Sequence, residues 1–248
     1  MRNLVIAFAL GASACSAPQS TEPELETKRH EQGMDHTEKH GHEGHKAHHG
    51  AHDGHHHAFD DPAKYAESWN SPERDAWQRP DEVIRVMAIE PGARVADLGT
   101  GTGYFVPHLS KSVGPSGKVL ALDVEESMVK WVVDAAAEQG LGNVEAQKIP
   151  YDSTAQEPGS LDRILTVNTW HHFSDRVAYS AHLKSVLKPD GMLVVVDFTK
   201  DAPSGPPPEM RLAPEVVISE LEAGGLVAEV VPTELERQYV IVAKHPAP

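Results

Sequence analysis

The sequence predicts an α/β protein, a doubly wound sheet with helices on both faces. Three observations predict it: short Val-, Leu- and Ile-rich runs, helical stretches between them, and a glycine-rich turn after the first run. Alternation of this kind means a mostly parallel sheet, because parallel neighbours need a crossover and a helix usually supplies it. The runs are Ala93–Leu98 (ARVADL), Lys118–Asp123 (KVLALD), Arg163–Asn168 (RILTVN) and Met192–Phe198 (MLVVVDF). Their composition is that of strands covered on both faces. Two terminal strands, about Leu226–Val231 and Gln238–Ala243, complete the expected sheet.

The intervening helices carry start and stop signals. Glu125–Gln139 places Met128, Val132, Ala135 and Ala136 at helical spacing and stops at Gly140, a fitting C-terminal glycine. Ser174 is the expected cap of a helix through Leu187 with Leu183, Val186 and Leu187 on one face, followed by a turn at Lys188-Pro189-Asp190-Gly191. Pro214 suits a first helical turn, Val217, Ile218 and Leu221 form its apolar face, and Gly224-Gly225 ends it.

The most informative segment is Val95–Phe105, VADLGTGTGYF, where a strand ends in an acid-x-G-x-G-x-G loop. Glycines at 99, 101 and 103 let backbone approach a ligand closely. A dinucleotide loop, G-x-G-x-x-G, would need its third glycine at Tyr104, and no G-K-[ST] follows for a phosphate loop. Taken with this spacing, the chain resembles the class I S-adenosylmethionine-dependent methyltransferases over residues 80–244, a Rossmann-like fold. The resemblance rests on three matches in order: Asp97-Leu98-Gly99-Thr100-Gly101-Thr102-Gly103, Asp123, and Ser160-Leu161-Asp162 leading into RILTVNTWHHF. It implies S-adenosylmethionine as cofactor, with Asp97, Gly99, Thr100, Gly101 and Gly103 forming its cradle. It also implies Asp123 accepting from both ribose hydroxyls, Met128 against the adenine, and Asn168 opening toward cofactor and acceptor. Blander roles stand beside these: Asp97 as a strand-end turn acid and Asp123 as a helix-capping acid. Asp152 is a weaker candidate for the adenine amino group, since QKIPYDST departs from the usual strand-then-acid arrangement.

Methyl transfer needs in-line approach and, for an acceptor bearing a proton, a nearby base. His171 and His172 follow the strand ending at Asn168, at the edge where open α/β sheets place ligands. They are the candidate catalytic residues; a helix cap or a packing histidine is the alternative. Tyr104 is a candidate lining residue. Trp69 and Trp77 sit in a segment that is either a lid or ordinary packing, and the loop Ala202–Pro208 either shapes the acceptor pocket or links elements rigidly. Metalloid chemistry through several thiolates is disfavoured, because Cys15 is the sole cysteine. The formal charge of −15, most of it on residues 59–248, argues against nucleic acid, which requires clustered Lys and Arg. No [DNS]-P-P-[YFW] motif follows the strand either. A small-molecule oxygen, nitrogen or carbon acceptor is the default.

Ahead of this domain the composition changes. Residues 1–15, MRNLVIAFALGASAC, combine Arg2, a short apolar segment and small residues before Cys15, the layout of an export signal. They resemble a lipoprotein lipobox, which implies lipid anchoring through Cys15 at a membrane surface; Ala12-Ser13-Ala14 equally suits ordinary signal cleavage. No apolar run is long enough to span a bilayer, which takes about 18 or more residues. Residues 16–58 lack any run of large apolar side chains and read as a disordered tether. Eleven of the sixteen histidines lie between His30 and His57. His42, His45, His48, His49, His52, His55, His56 and His57 are candidate ligands for zinc, copper or nickel, or parts of a solvated spacer.

The chain therefore divides into a signal (1–15), a tether (16–58), an N-terminal lid segment (59–80) and a methyltransferase domain (81–248). It reads as an exported, cell-envelope or periplasmic methyltransferase for a small-molecule acceptor. The alternative is an envelope metal-binding lipoprotein whose methyltransferase-like domain is not catalytic.

Overall fold

The structure, a computed structural model, describes residues 61–247. The expected signal, Cys15 and the histidines from His42 to His57 lie outside the described residues. Three helices open the described chain: α1 (Pro62–Trp69), α2 (Arg74–Gln78) and α3 (Pro80–Met87). They are followed by β1 (Arg94–Leu98), α4 (Val106–Val113), β2 (Lys118–Asp123), α5 (Glu126–Glu138), β3 (Val144–Lys148) and β4 (Leu161–Val167). The remainder is α6 (Arg176–Val186), β5 (Leu187–Phe198), α7 (Pro214–Ala223), β6 (Val227–Val231) and β7 (Gln238–Lys244). Short 3-10 turns cover Trp170–His172 and Pro208–Met210.

The seven strands form one sheet in the order β3-β2-β1-β4-β5-β7-β6. Strands β1 to β5 are parallel, and β7 inserts antiparallel between β5 and β6. Strand order reverses between β1 and β4, so the crevice at their carboxyl ends is the switch point at which such sheets bind ligands. The apolar composition of the central strands follows from their cover. Leu98, Leu120, Leu122, Val195 and Ile241 face α6 and α7 through Tyr179, Leu183, Val217 and Leu221. On the opposite face Val95, Val119, Leu165, Val194 and Val240 meet Val83 and Met87 of α3 and Leu109 and Val113 of α4. Helix α5 joins that layer through Val132, which packs on Ala121 and Val106.

Several sequence expectations change in detail. Strand β3 was not among the expected strands: VEAQK has only two apolar residues, and at the sheet edge no position of it is fully buried. Asp175 rather than Ser174 caps α6, its Oδ1 accepting from the Ala178 N–H at 2.9 Å. The expected turn at Lys188–Gly191 lies inside β5, looped out as an irregularity between the pairs Leu161–Leu187 and Arg163–Met192. The strand expected to end at Asn168 ends at Val167, because Asn168 turns to φ +56°. The Ala202–Pro208 loop is tied by buried Arg211. Its guanidinium donates to the carbonyls of Pro206 at 2.8 Å, Lys200 at 3.0 Å and Ala202 at 2.7 Å.

Candidate cofactor and acceptor site

The glycine turn is fastened to the end of its neighbouring strand. The Leu122 carbonyl accepts from the N–H groups of Gly99 at 2.8 Å and Thr100 at 3.1 Å. One residue further, Asp123 Oδ2 accepts from Gly101 N–H at 2.8 Å, and Oδ1 accepts from Glu125 N–H at 3.0 Å ahead of α5. Each Asp123 oxygen thus takes at least one amide, and the Val124 amide adds to the pull on the carboxylate. A carboxylate has about four acceptor sites, which leaves capacity for a vicinal diol. The expected cap role and the expected ligand role are compatible in one residue.

Glycine is required in this turn by close approach at Gly99 and by its positive φ at Gly101, where the neighbour is tight. A Cβ on Gly99 would lie 2.4 Å from the Thr169 methyl, and φ there is +73°. On Gly101, at φ +53°, it would lie 3.2 Å from the Trp69 ring. Both approaches come from flanking segments, the residue after Asn168 and the end of α1. Asn70 adds a reciprocal pair on Thr102, donating to its carbonyl at 3.0 Å and accepting from its hydroxyl at 2.7 Å.

Two buried charges meet beneath the turn. Asp97 is buried, its Oδ2 accepting from Thr100 Oγ1 at 2.8 Å. Burial pushes its carboxyl up to about 6, partly offset by the Thr100 hydroxyl and the Arg74 guanidinium. Burial likewise raises Asp123, against the pull of the Glu125 and Gly101 amides. Arg74 of α2 is brought down to about 10 by burial, partly offset by Tyr104, Asp97 and Asp75. Its guanidinium stacks 4.0 Å over the Tyr104 ring, whose hydroxyl donates to Asp75 Oδ1 at 2.5 Å. Tyr104 is therefore a prop for α2.

At the carboxyl edge of β4 and β5, His171 and Asp197 form a pair. His171 Nδ1 lies 2.9 Å from Asp197 Oδ2, and the two side chains are 3% and 1% exposed. The Phe198 amide donates to the same carboxylate at 2.8 Å. Neighbouring Trp170 is fully buried and donates from Nε1 to Glu220 at 3.0 Å, which fixes the turn that carries His171. His172 is exposed, its ring 4.2 Å from that of His171. Tyr239, paired with Asp197 across the ladder, buries a hydroxyl that has no hydrogen-bond partner among the described residues.

Asp97, Gly99, Thr100, Gly101, Gly103, Asp123 and Asn168 therefore gather at one edge of the sheet. Met128 is buried one turn into α5, beyond Asp123. Asp152 is not brought there: it is exposed, and its charge acts on Tyr179 and His182 of α6. Trp77 packs 5.9 Å from Phe198, with Arg74 and Arg237 over its ring. Sequence reading missed Arg74, Asp197, Gln78 and Gln238. Only Asp197 had a local signal, an acid at the end of the buried run MLVVVDF. Among the described residues no cluster of three or more His, Cys, Asp or Glu could hold a metal. Two carboxylates and a glycine turn on adjacent strands suit a ligand that carries a diol and a cationic centre.

Comparison with known proteins agrees with this geometry. A methyltransferase domain family matches residues 95–191. The chain is 30% identical to nocamycin O-methyltransferase of Saccharothrix syringae over 66% of its length and 53% of that protein. With a ubiquinone/menaquinone biosynthesis C-methyltransferase of Teredinibacter turnerae it shares 32% identity over 47% of each chain. The chain thus spans about half the length of the curated relatives it matches. A crystal structure of a SAM dependent methyltransferase from Aquifex aeolicus superposes with a TM-score of 0.69 and 32% identity. That alignment covers 74% of this chain and 97% of the other. The chain belongs to the S-adenosylmethionine-dependent methyltransferases.

Proposed function

We propose that this protein transfers a methyl group from S-adenosylmethionine to a small-molecule acceptor. It does so at the cell envelope, lipid-anchored through Cys15, on a tether whose histidines bind zinc, copper or nickel. One observation carries the enzymatic part: Asp97 and Asp123 stand at adjacent strand ends with the glycine turn fastened between them. When bound, S-adenosylmethionine supplies an electrophilic methyl on a sulfonium. Asp123 holds the ribose diol with its remaining acceptor sites, and Asp97 places a negative charge under a cationic ligand. Gly99 and Gly101 give the ligand backbone to run along, with Trp69 covering the turn as a lid.

On the acceptor side His171 is the residue equipped to take a proton. A neutral imidazole whose Nδ1 faces a buried carboxylate carries its hydrogen there, leaving Nε2 as acceptor. Asp197 is thus the residue that orients it, and His172 is the exposed neighbour. The named relatives methylate oxygen or carbon, and transfer to either from a protonated acceptor releases a proton that a base must accept. A non-catalytic metal-binding lipoprotein is the second reading, favoured by the histidine tract. Retention of both carboxylates and the glycine turn favours the enzyme.

Calorimetric titration of S-adenosylmethionine into residues 58–248 should give micromolar binding, weakened at least ten- to a hundredfold by Asp123→Ala. A folded domain that binds nothing would reject the enzyme. Because the native carboxyl of Asp97 titrates near 6, above its unfolded value, protonation favours the fold, and that contribution is lost as pH rises through about 6. Asp97→Asn should therefore be more stable than the parent at pH 8, on the order of 2–3 kcal/mol, and alike at pH 4. The same titration makes cofactor affinity rise through about pH 6 in the parent and rise less in the variant, where the Asp97 titration is absent. With an acceptor in hand, His171→Ala should lower turnover roughly ten- to a hundredfold or more, and equal rates would remove its role. A peptide of residues 30–57 should bind zinc or copper tightly at neutral pH and weakly once imidazoles protonate below about 6.5; millimolar affinity would return the tract to a spacer.

A further inference from the structure

We propose that Gln78 and Gln238 are positioning residues: together they fix which end of the Asn168 amide faces the ligand and tie that choice to the N-terminal helices. The inference rests on the methyltransferase reading. Both glutamines are buried, at 0% and 3% exposure, where α2 meets the start of β7. Gln78 Oε1 accepts from Arg74 Nη2 at 3.0 Å and Nε at 3.2 Å. Gln78 Nε2 donates to Gln238 Oε1 at 2.6 Å, and Gln238 Nε2 donates to Asn168 Oδ1 at 2.6 Å.

Every link runs in one sense. Arg74 has only donors, so Gln78 must offer it oxygen and pass nitrogen onward, and Gln238 repeats the step. The chain therefore arrives at Asn168 as a donor and occupies its oxygen, leaving the Asn168 Nδ2 group as the one offered to a ligand. Asn168 itself sits at φ +56°, a conformation asparagine tolerates, and its backbone N–H donates to the Val196 carbonyl at 2.9 Å. Its backbone is thereby held between β4 and β5 while its amide sense comes from 90 residues upstream.

The same chain closes on the glycine turn from both sides. Arg74 Nη1 donates to the Trp69 carbonyl at 2.8 Å, and Trp69 covers Gly101. At the other end Thr169, next to Asn168, covers Gly99. A shift of the end of α1 that carries the Trp69 backbone with its ring would reach Asn168 through Arg74 and the two amides. Two apolar side chains would fill the interface of α2 and β7 without this coupling. Buried amides are retained at higher cost, and they specify a single arrangement.

The test is binding of S-adenosylhomocysteine to the full chain by calorimetry, which needs no acceptor, in a double-mutant cycle of Gln238→Glu and Asn168→Ala. Gln238→Glu presents an acceptor to Asn168, so the amide must turn over. We expect at least a tenfold loss from either single variant, and no further loss when Gln238→Glu is added to Asn168→Ala. Gln78→Met, one link further out, should show the same non-additivity at smaller size, so misfolding of Gln238→Glu does not remove the test. A merely structural role would lower the unfolding midpoint and leave the affinity losses independent; additive losses, or unchanged affinity in the glutamine variants, overturn the proposal. If the parent chain itself binds no S-adenosylhomocysteine, the methyltransferase reading falls and this one with it. Binding by the parent together with additive variants rejects the relay alone.

Discussion

The end of β2 holds the site together. Its last two residues take three successive amides of the glycine turn, Gly99 and Thr100 on the Leu122 carbonyl and Gly101 on the Asp123 carboxylate. Without those acceptors a turn containing three glycines would be the most mobile part of the sheet edge, since glycine has the most conformational freedom to lose. Parallel register makes the arrangement possible. Asp97 pairs with Ala121 and Leu98 with Leu122, so the turn that follows Leu98 emerges beside Asp123. On the other side Leu98 pairs with Thr166, and Thr166 with Val195. Four strand ends carrying Asp97, Asp123, Asn168 and Asp197 are thereby delivered to a single edge.

That edge is electrostatically expensive. Asp97 is buried with a raised pKa, and Asp123 nearby is raised too. A fold optimised for stability alone would place neither there, because an ionised carboxylate loses several kcal/mol on leaving water. Arg74 only partly offsets the cost, being itself pulled down by burial. A cationic ligand would offset it more directly, so the same charge that weakens the free protein would strengthen a complex. The cost is a reason to regard the two acids as functional; the turn and cap roles alone are filled by residues that stay in water.

How much was legible in the sequence depended on distance along the chain. The glycine turn, Asp97 and Asp123 were readable because their signals are local: an apolar run, an acid, then glycines at alternate positions. Element positions were likewise readable wherever a strand is central, since burial on both faces enforces an apolar run. Strand β3 escaped because an edge position tolerates Glu145, Gln147 and Lys148. Ser174 and Asp175 are both good caps, and only the geometry of α6 selects Asp175. The pairs that organise the site were out of reach. His171 with Asp197 spans 26 residues, and Gln78 with Gln238 spans 160. No local pattern marks a glutamine as buried, and Arg74 looks like any charge on an amphipathic helix.

The glycines themselves are the least decisive part of the site. Gly99 and Gly101 are needed in the protein as it stands, because Thr169 already fills the space a Cβ on Gly99 would take and Gly101 combines φ +53° with a tight approach of Trp69. Their spacing would be required for this packing even in a relative that bound nothing, so losing function on substituting them would not separate a cofactor site from a well-packed turn. The carboxylates differ in this respect. Asp123 accepts from the Gly101 and Glu125 amides, and the Val124 amide also favours its ionised form; among the described residues Asp97 has one side-chain hydrogen bond, to Thr100. An underpaired buried charge is what a ligand-binding edge retains and a purely structural one sheds, and that burial, more than the glycine pattern, is the physical content of the family resemblance in this chain.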